Sequence, residues 1–188
     1  MWGMINFEWE ELDKLELEEK VEQILDFSYN MWMLEQKNVC YFVRSFFIRW
    51  YILVDMYDVE DYEAEGKKLK TMYDFGMSEL KNITEVDWIM GFCMGINPDY
   101  FIESDDEFDF VEKEGNELIH ELILNNPNDI FFQSLYYATL SVGQKAHKKY
   151  VRWKRANRKN LIQYAQENFN FSSVFSDYFS QKIKLYLD

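Results

Sequence analysis

The chain is predicted to be all-α, and three observations carry that prediction. Its two prolines, Pro98 and Pro127, both sit in turn-like contexts, GINPDY and NNPND. Apolar residues recur at spacings of three and four almost everywhere, which is the period of one helix face. Strand-like alternation bounded by glycine-rich turns is scarce.

About seven helices follow from that periodicity, packed as a bundle. The first covers 8–36, with Leu17, Val21, Ile24, Ser28 and Met31 on one stripe. The second, near 39–57, is apolar on most faces and belongs at the centre, buried. The third spans 60–82 and turns Tyr62, Leu69, Tyr73, Met77 and Leu80 inward. The fourth starts at Thr84, where the Asp87 carboxylate can imitate a capping box, and ends near Gly95. The fifth starts at Ser104, whose SDDE run to Glu107 is a capping box with carboxylates that suit the positive helix N-terminus. The sixth starts near Pro127 and runs to about residue 166, with Gly143 as a kink point. The last covers Ser172–Leu187. GINPDYFIES (95–104) and NNPNDIFFQS (125–134) echo each other faintly, without the rest of a repeat signature. No linker or low-complexity run divides residues 1–188, so one helical domain is expected.

Composition narrows the class. Hydrophobic residues make up 48% and aromatic residues 19%, ample for a core and incompatible with global disorder. Cys40 and Cys93 are too few for a disulfide framework, which points to a reducing, cytoplasmic location. The N-terminus, MWGMINFEWEELDKLELEE, has no basic n-region or clean apolar run, so no signal peptide is expected. The most apolar run, VCYFVRSFFIRWYILV (39–54), is interrupted by Arg44, Ser45 and Arg49. Each arginine at a bilayer centre costs about 2.5–3.5 kcal/mol, so a buried helix is expected and not a membrane span.

No catalytic motif stands out. There is no phosphate-cradling glycine loop, no GxSxG and no CxxC. Glu117 and His120 have the spacing of a metal-binding helix face, but the residue three before His147 is Gln144, so the second half of a di-iron motif is missing. The expectation is no metal, no cofactor and no enzyme, with His120 hydrogen-bonded at a core edge and both cysteines as buried structural thiols.

Charge is unevenly spread. The net charge is −14, yet residues 130–166 hold eight Lys or Arg and no acid. The remaining 12 basic residues face all 34 acids, a balance of −22. Such a field repels nucleic acid and attracts basic macromolecules. On a helix, Lys145, Lys148, Arg152, Arg155 and Lys159 form one stripe, and Leu135, Val142, Ala146, Tyr150, Trp153, Leu161 and Tyr164 fall opposite. A basic stripe can read phosphates, but base stacking wants aromatics among the cations, and here they lie on the apolar side. The expectation is a strip partly neutralised by the chain's own acids. Two acidic runs interleave rings with carboxylates. ESDDEFDFVEKE (103–114) carries Asp105, Asp106, Asp109 and Glu112 with Phe108 and Phe110. DMYDVEDYEAE (55–65) carries Asp58, Asp61 and Glu63 with Tyr62. In such a run the carboxylates steer a basic partner and the rings anchor it.

With these runs, its size, its acidity and its lack of catalytic motifs, the chain resembles in type the small acidic helical immunity proteins that bacteria carry beside toxins of contact-dependent growth inhibition and related polymorphic systems. The likeness is of the whole chain and rests on no motif, so no family residue transfers. It implies a cognate protein toxin, commonly a basic nuclease domain, bound one to one and occluded. The alternative is a helical scaffold or regulator, in the manner of tetratricopeptide proteins, that binds RNA or an acidic partner through the stripe 145–159.

Overall fold

The computed structural model describes residues 5–55, 59–139 and 144–187. Among these it forms α1 (Glu10–Leu17), α2 (Val21–Leu34), α3 (Val39–Asp55), α4 (Tyr62–Glu79) and α5 (Thr84–Ile96), then α6 (Phe108–Asn125), α7 (Ile130–Thr139), α8 (Gln144–Ala156), α9 (Arg158–Asn168) and α10 (Val174–Lys184). Two 3-10 turns, Pro98–Tyr100 and Asp105–Glu107, lie between α5 and α6. The described residues contain no strand, so the all-α class holds, with ten helices in place of about seven.

The extra helices come from breaks that apolar period alone does not reveal. The first predicted helix divides at Glu18–Lys20, where Glu19 takes φ 53°, a left-handed backbone. Leu17, expected inward, is 67% exposed, because α1 turns Asp13 and Glu16 toward α3 in its place. Asn157 separates α8 from α9: its side-chain amide donates to the Trp153 carbonyl at 2.9 Å, an oxygen that also accepts from the Asn157 backbone N–H at 3.0 Å. Asn126 and Asn168 do the same for Leu122 and Tyr164. Gly143, Val142 and Asp58 lie outside the described residues.

Neither predicted capping box forms: the acid of each accepts from an N–H one or two residues before the expected cap. Glu107 accepts from the Glu103 N–H at 2.9 Å, but the Ser104 hydroxyl caps nothing and a 3-10 turn opens α6. Asp87 accepts from the Asn82 N–H at 3.3 Å, and the cap position of α5 is Ile83, not Thr84. Side-chain caps form elsewhere, Asp61 onto Ala64 N at 3.0 Å and Ser173 onto Ser176 N at 3.0 Å.

As predicted, α3 is the central helix. It packs against α2, α4, α5 and α10, and every residue from Phe42 to Trp50 is buried. That run includes Arg44 and Arg49, both 0% exposed, so the fold must supply their acceptors. Arg44 donates to the Phe7 carbonyl at 2.7 Å, to Asp13 at 2.7 Å and to Glu16 at 2.8 Å. Glu16 also accepts from the Val174 N–H at 2.7 Å, the first residue of α10. One guanidinium therefore ties α1, the segment before it and the start of α10 to the central helix. Arg49 donates to Glu65 at 2.8 Å and to the Leu25 carbonyl at 2.7 Å, and lies 4.8 Å from the centre of the Tyr29 ring. This second arginine joins α2 and α4 to α3. Burial pushes the Glu65 carboxyl up, but hydrogen bonds from Lys68 and Arg49 outweigh it and hold the group below the usual range.

α5 and α6 approach backbone to backbone. A Cβ on Gly115 would stand 2.7 Å from the Met94 Cβ and 2.9 Å from the Gly95 N, and one on Gly91 would stand 2.8 Å from the Gly115 carbonyl oxygen. Rings from α5, α7 and α10 close the other side of the core, with Trp88 5.1 Å from Phe131 and 4.9 Å from Phe179. The buried apolar residues form one cluster from Phe7 to Leu187.

Candidate protein-binding faces

The acidic candidates gather along α4. The Tyr62 and Tyr100 hydroxyls lie 2.9 Å apart and converge on the Leu53 carbonyl, which sets the start of α4 against the first 3-10 turn. Farther along α4, Lys70 reaches Glu103 at 4.0 Å and the Tyr73 hydroxyl donates to Glu114 at 3.4 Å. The run 103–114 therefore flanks the second half of α4, while Asp61, Tyr62 and Glu63 stand at its start. Burial, and then the Glu114 charge, push the Tyr73 hydroxyl up to about 12.

The two runs differ in how free they are. Asp61 is spent as the cap of α4, and Glu63 pairs with Lys67 at 2.6 Å. Tyr62, expected inward, is 46% exposed with its hydroxyl engaged. In the other run Asp105, Asp106 and Asp109 are exposed, Glu112 and Phe108 are half-buried, and Phe110 is 64% exposed. Among the described residues no basic group lies within 4.0 Å of Asp105, Asp106, Asp109 or Glu112. A large ring in water near the start of an 18-residue helix, within a few residues of unpaired carboxylates, marks this face out.

The basic stripe lies on α8 and the start of α9. Lys145, Lys148, Arg152, Arg155 and Lys159 are all exposed, while Tyr150 and Leu161 are buried and Ala146, Trp153 and Tyr164 half-buried. The expected neutralisation by the chain's own acids does not occur for most of it. Among the described residues no carboxylate comes within 4.0 Å of Lys145, Lys148, Arg152 or Lys159. The reason is where the helices pack: α8 lies against α7 and α9, which contribute only Glu167 to the acid count. On the side of α8 that carries Tyr150, away from the stripe, α5, α7, α8 and α10 leave a cavity of about 190 Å³ whose lining includes Leu135, His147 and Tyr150. Ile96, Leu185 and Tyr186, 40%, 46% and 41% exposed, also line it and form its mouth.

One cation of this stretch is not on the stripe. Lys154 is 0% exposed and donates to the Lys182 carbonyl at 2.7 Å, in the last turn of α10 where carbonyls have no helical partner. Its ammonium lies 5.3 Å from the centre of the Tyr150 ring. Burial, and then the nearby Lys182 charge, push it down to about 8.

Comparison with protein families, with curated sequences and with solved structures finds no match to this chain. The reading of function therefore rests on its own residues. Among the described residues no group of three or more His, Cys, Asp or Glu side chains converges on a metal-sized space, and no helix is long and apolar enough to cross a membrane. His120 is exposed and stacked on Tyr136 at 5.6 Å, not hydrogen-bonded at a core edge, and Glu117 beside it is exposed. Burial pushes the Cys93 thiol well above its ordinary range and raises Cys40 also, which disfavours the reactive thiolate of both. The buried partners of Arg44, Arg49 and Lys154 belong to no local motif. Two arginines inside a helix apolar on most faces were the available signal that carboxylates from other elements had to reach it.

Proposed function

We propose that this chain is a cytosolic immunity-type inhibitor that binds a basic toxin domain, a nuclease by the chemistry of its cleft, and blocks it by occlusion without catalysis. The observation that carries the reading is Phe110, 64% exposed among the unpaired carboxylates of Asp105, Asp106 and Asp109. A nuclease cleft is cationic because it holds phosphates. An anionic surface with one ring able to enter a pocket competes for that cleft directly. The run at the start of α4 contributes less, because Asp61 and Glu63 already have partners. The test is capture with the tagged full chain from cells of the source, followed by co-expression with the captured protein. A basic partner bound one to one, whose toxicity the chain suppresses, supports the reading. Absence of any basic partner, together with no protection from a toxin encoded beside it, ends it.

A second reading is favoured by the exposure of Lys145, Lys148, Arg152, Arg155 and Lys159 without carboxylate neighbours for most of them. On it the chain is a scaffold or regulator that takes RNA or an acidic partner on the stripe. A mobility-shift assay on the full chain separates the two. Phosphate-driven binding weakens steeply with salt and disappears on charge reversal at Lys148 and Arg152.

A further inference from the structure

We propose that the cavity among α5, α7, α8 and α10 binds a small aromatic carboxylate, with its single ring between the helices and its carboxylate turned to Lys182 and His147. The proposal stands on this cavity alone and is independent of the inhibitor reading.

The wall is assembled at helical period. Phe92 and Ile96 lie one turn apart on α5, Ser134 and Ala138 on α7, and Phe179 and Ile183 on α10, so each helix turns one face to the cavity. From α8 come His147 and Tyr150, on the side away from the basic stripe. The side chains of Ser134 and Tyr150 are hydrogen-bonded to each other, and the basic groups of the wall are His147, half-buried, and Lys182, exposed. Tyr186 covers part of the mouth. Its ring stands edge-on to His147 at 5.1 Å and to Tyr150 at 6.3 Å. Its backbone takes φ 66°, a left-handed conformation that bulky residues rarely adopt. Such a backbone persists where its surroundings enforce it, and here those are the ring contacts at the mouth.

Size and charge each narrow the ligand. Sites for drug-sized ligands span about 300–1,000 Å³, whereas a cavity of about 150 Å³ lined by Leu, Ile and Phe takes up benzene. At about 190 Å³ this cavity accommodates one ring with a small substituent. The chain has 34 acids against 20 Lys or Arg, yet among the described lining residues none is Asp or Glu. The substituent is therefore anionic, since an ammonium group would meet only like charge. Lys182 lines both this cavity and the adjoining pocket of Tyr51, Asp55 and Tyr178, with its ammonium 5.0 Å from the centre of the Tyr178 ring. Among the described residues no carboxylate, Asp55 included, lies within 4.0 Å of that ammonium. A ligand carboxylate at the junction supplies the acceptor, and the His147 imidazole can donate to it from α8. An inorganic anion fits less well, because the apolar remainder of the wall offers nothing to replace its water.

Isothermal titration calorimetry of the full chain tests this, with benzoate as the anionic probe and benzyl alcohol as an uncharged probe of nearly the same size. Benzoate is expected to bind one to one, about tenfold or more tighter than the alcohol, which is the worth of a charged hydrogen bond. Lys182→Met should erase that preference by weakening benzoate and leaving the alcohol unchanged. Its backbone carbonyl still accepts from Lys154, so the last turn of α10 keeps its tie. Ala138→Phe places a ring in the cavity and should abolish both. Thermal melts show whether each variant keeps its fold, and Lys182→Met, at an exposed position, carries the test by itself if Ala138→Phe does not fold. Lys148→Glu with Arg152→Glu, on the opposite side of α8, should change nothing. Wild type that takes up no benzoate at millimolar concentration overturns the proposal. So does an alcohol that binds as tightly as benzoate, a Lys182→Met variant that binds both as wild type does, or a loss of benzoate binding in the stripe variant, which would place the anion on the stripe.

Discussion

Arg44 and Lys154 show how differently the fold treats two buried cations. Arg44 receives three acceptors, two of them carboxylates. Replacing it with Met leaves Glu16 buried with its charge partner gone, and breaking a buried pair on one side costs about 3–5 kcal/mol. Urea denaturation of Arg44→Met should show a loss of that size. The double variant Arg44→Met with Glu16→Met should recover part of it, because the stranded charge has gone too. Lys154 has only a carbonyl acceptor, and burial lowers its pKa to about 8 from an ordinary 10.5. For a base the sign follows directly. The fold disfavours the charged form, so the penalty is fully present below pH 8 and fades as the pH rises from 8 toward 10.5. Lys154→Met removes the penalty at every pH. The stability of wild type relative to Lys154→Met should therefore rise between pH 7 and pH 9.5, by up to about 2 kcal/mol, allowing for the hydrogen bond that Met also loses. Tyrosines with raised pKa values titrate in both proteins and cancel in the difference. A flat difference across that range would show that Lys154 is not held in a desolvated site.

Among the elements, α3 to α6 and α10 were legible to within a few residues, because the three-and-four spacing of their apolar residues is also the spacing of their burial. The breaks were not. A helix continues or stops at Glu18–Lys20 and at Asn157 according to where the chain must turn to reach Arg44 or to pack on α10, and apolar period is silent on that. The close approach of α5 and α6 was equally hidden, since a glycine inside a helix reads only as a weak helix former. Two glycines in helix interiors now predict opposite outcomes. Gly115→Ala drives a Cβ to within 2.9 Å of the Gly95 backbone nitrogen, where no flexible side chain can yield. It should destabilise by about 1–3 kcal/mol through overpacking. Gly66 in α4 has nothing within 4 Å of its would-be Cβ. Gly66→Ala should stabilise by about 0.5–1 kcal/mol from helix propensity alone. Thermal melts of the pair measure both. A shift of Gly115→Ala in the same direction as Gly66→Ala would refute the backbone contact between α5 and α6.

Over the whole molecule, charge is segregated, and the composition made that visible before any helix was placed. What it could not show was which charges were already spent. The run at 55–65 interleaves rings and carboxylates as the run at 103–114 does, yet Asp61 caps a helix, Glu63 pairs with Lys67 and Tyr62 bonds inward, while Asp105, Asp106 and Asp109 keep no basic neighbour among the described residues. Two of these commitments are local, a cap at i,i+3 and an ion pair at i,i+4, while the bond of Tyr62 to the Leu53 carbonyl depends on how the fold sets α4 against α3. The difference predicts how binding to a basic partner divides between rates. Free carboxylates act at a distance, so changing Asp105, Asp106 and Asp109 to Asn should slow association and flatten its dependence on salt, with little change in dissociation. A ring acts only on contact, so Phe110→Ala should leave association nearly unchanged and accelerate dissociation, with a loss of about 2 kcal/mol or more if the ring fills a pocket. Neutralising Asp61 and Glu63 should do less than either, since their charges are already committed within α4. Stopped-flow association and dissociation rates for the captured partner, taken at two salt concentrations, resolve the three cases. If Asp61 and Glu63 proved the stronger determinants of association, the acidic face would have to be moved to the start of α4, and Phe110 would lose its role as anchor.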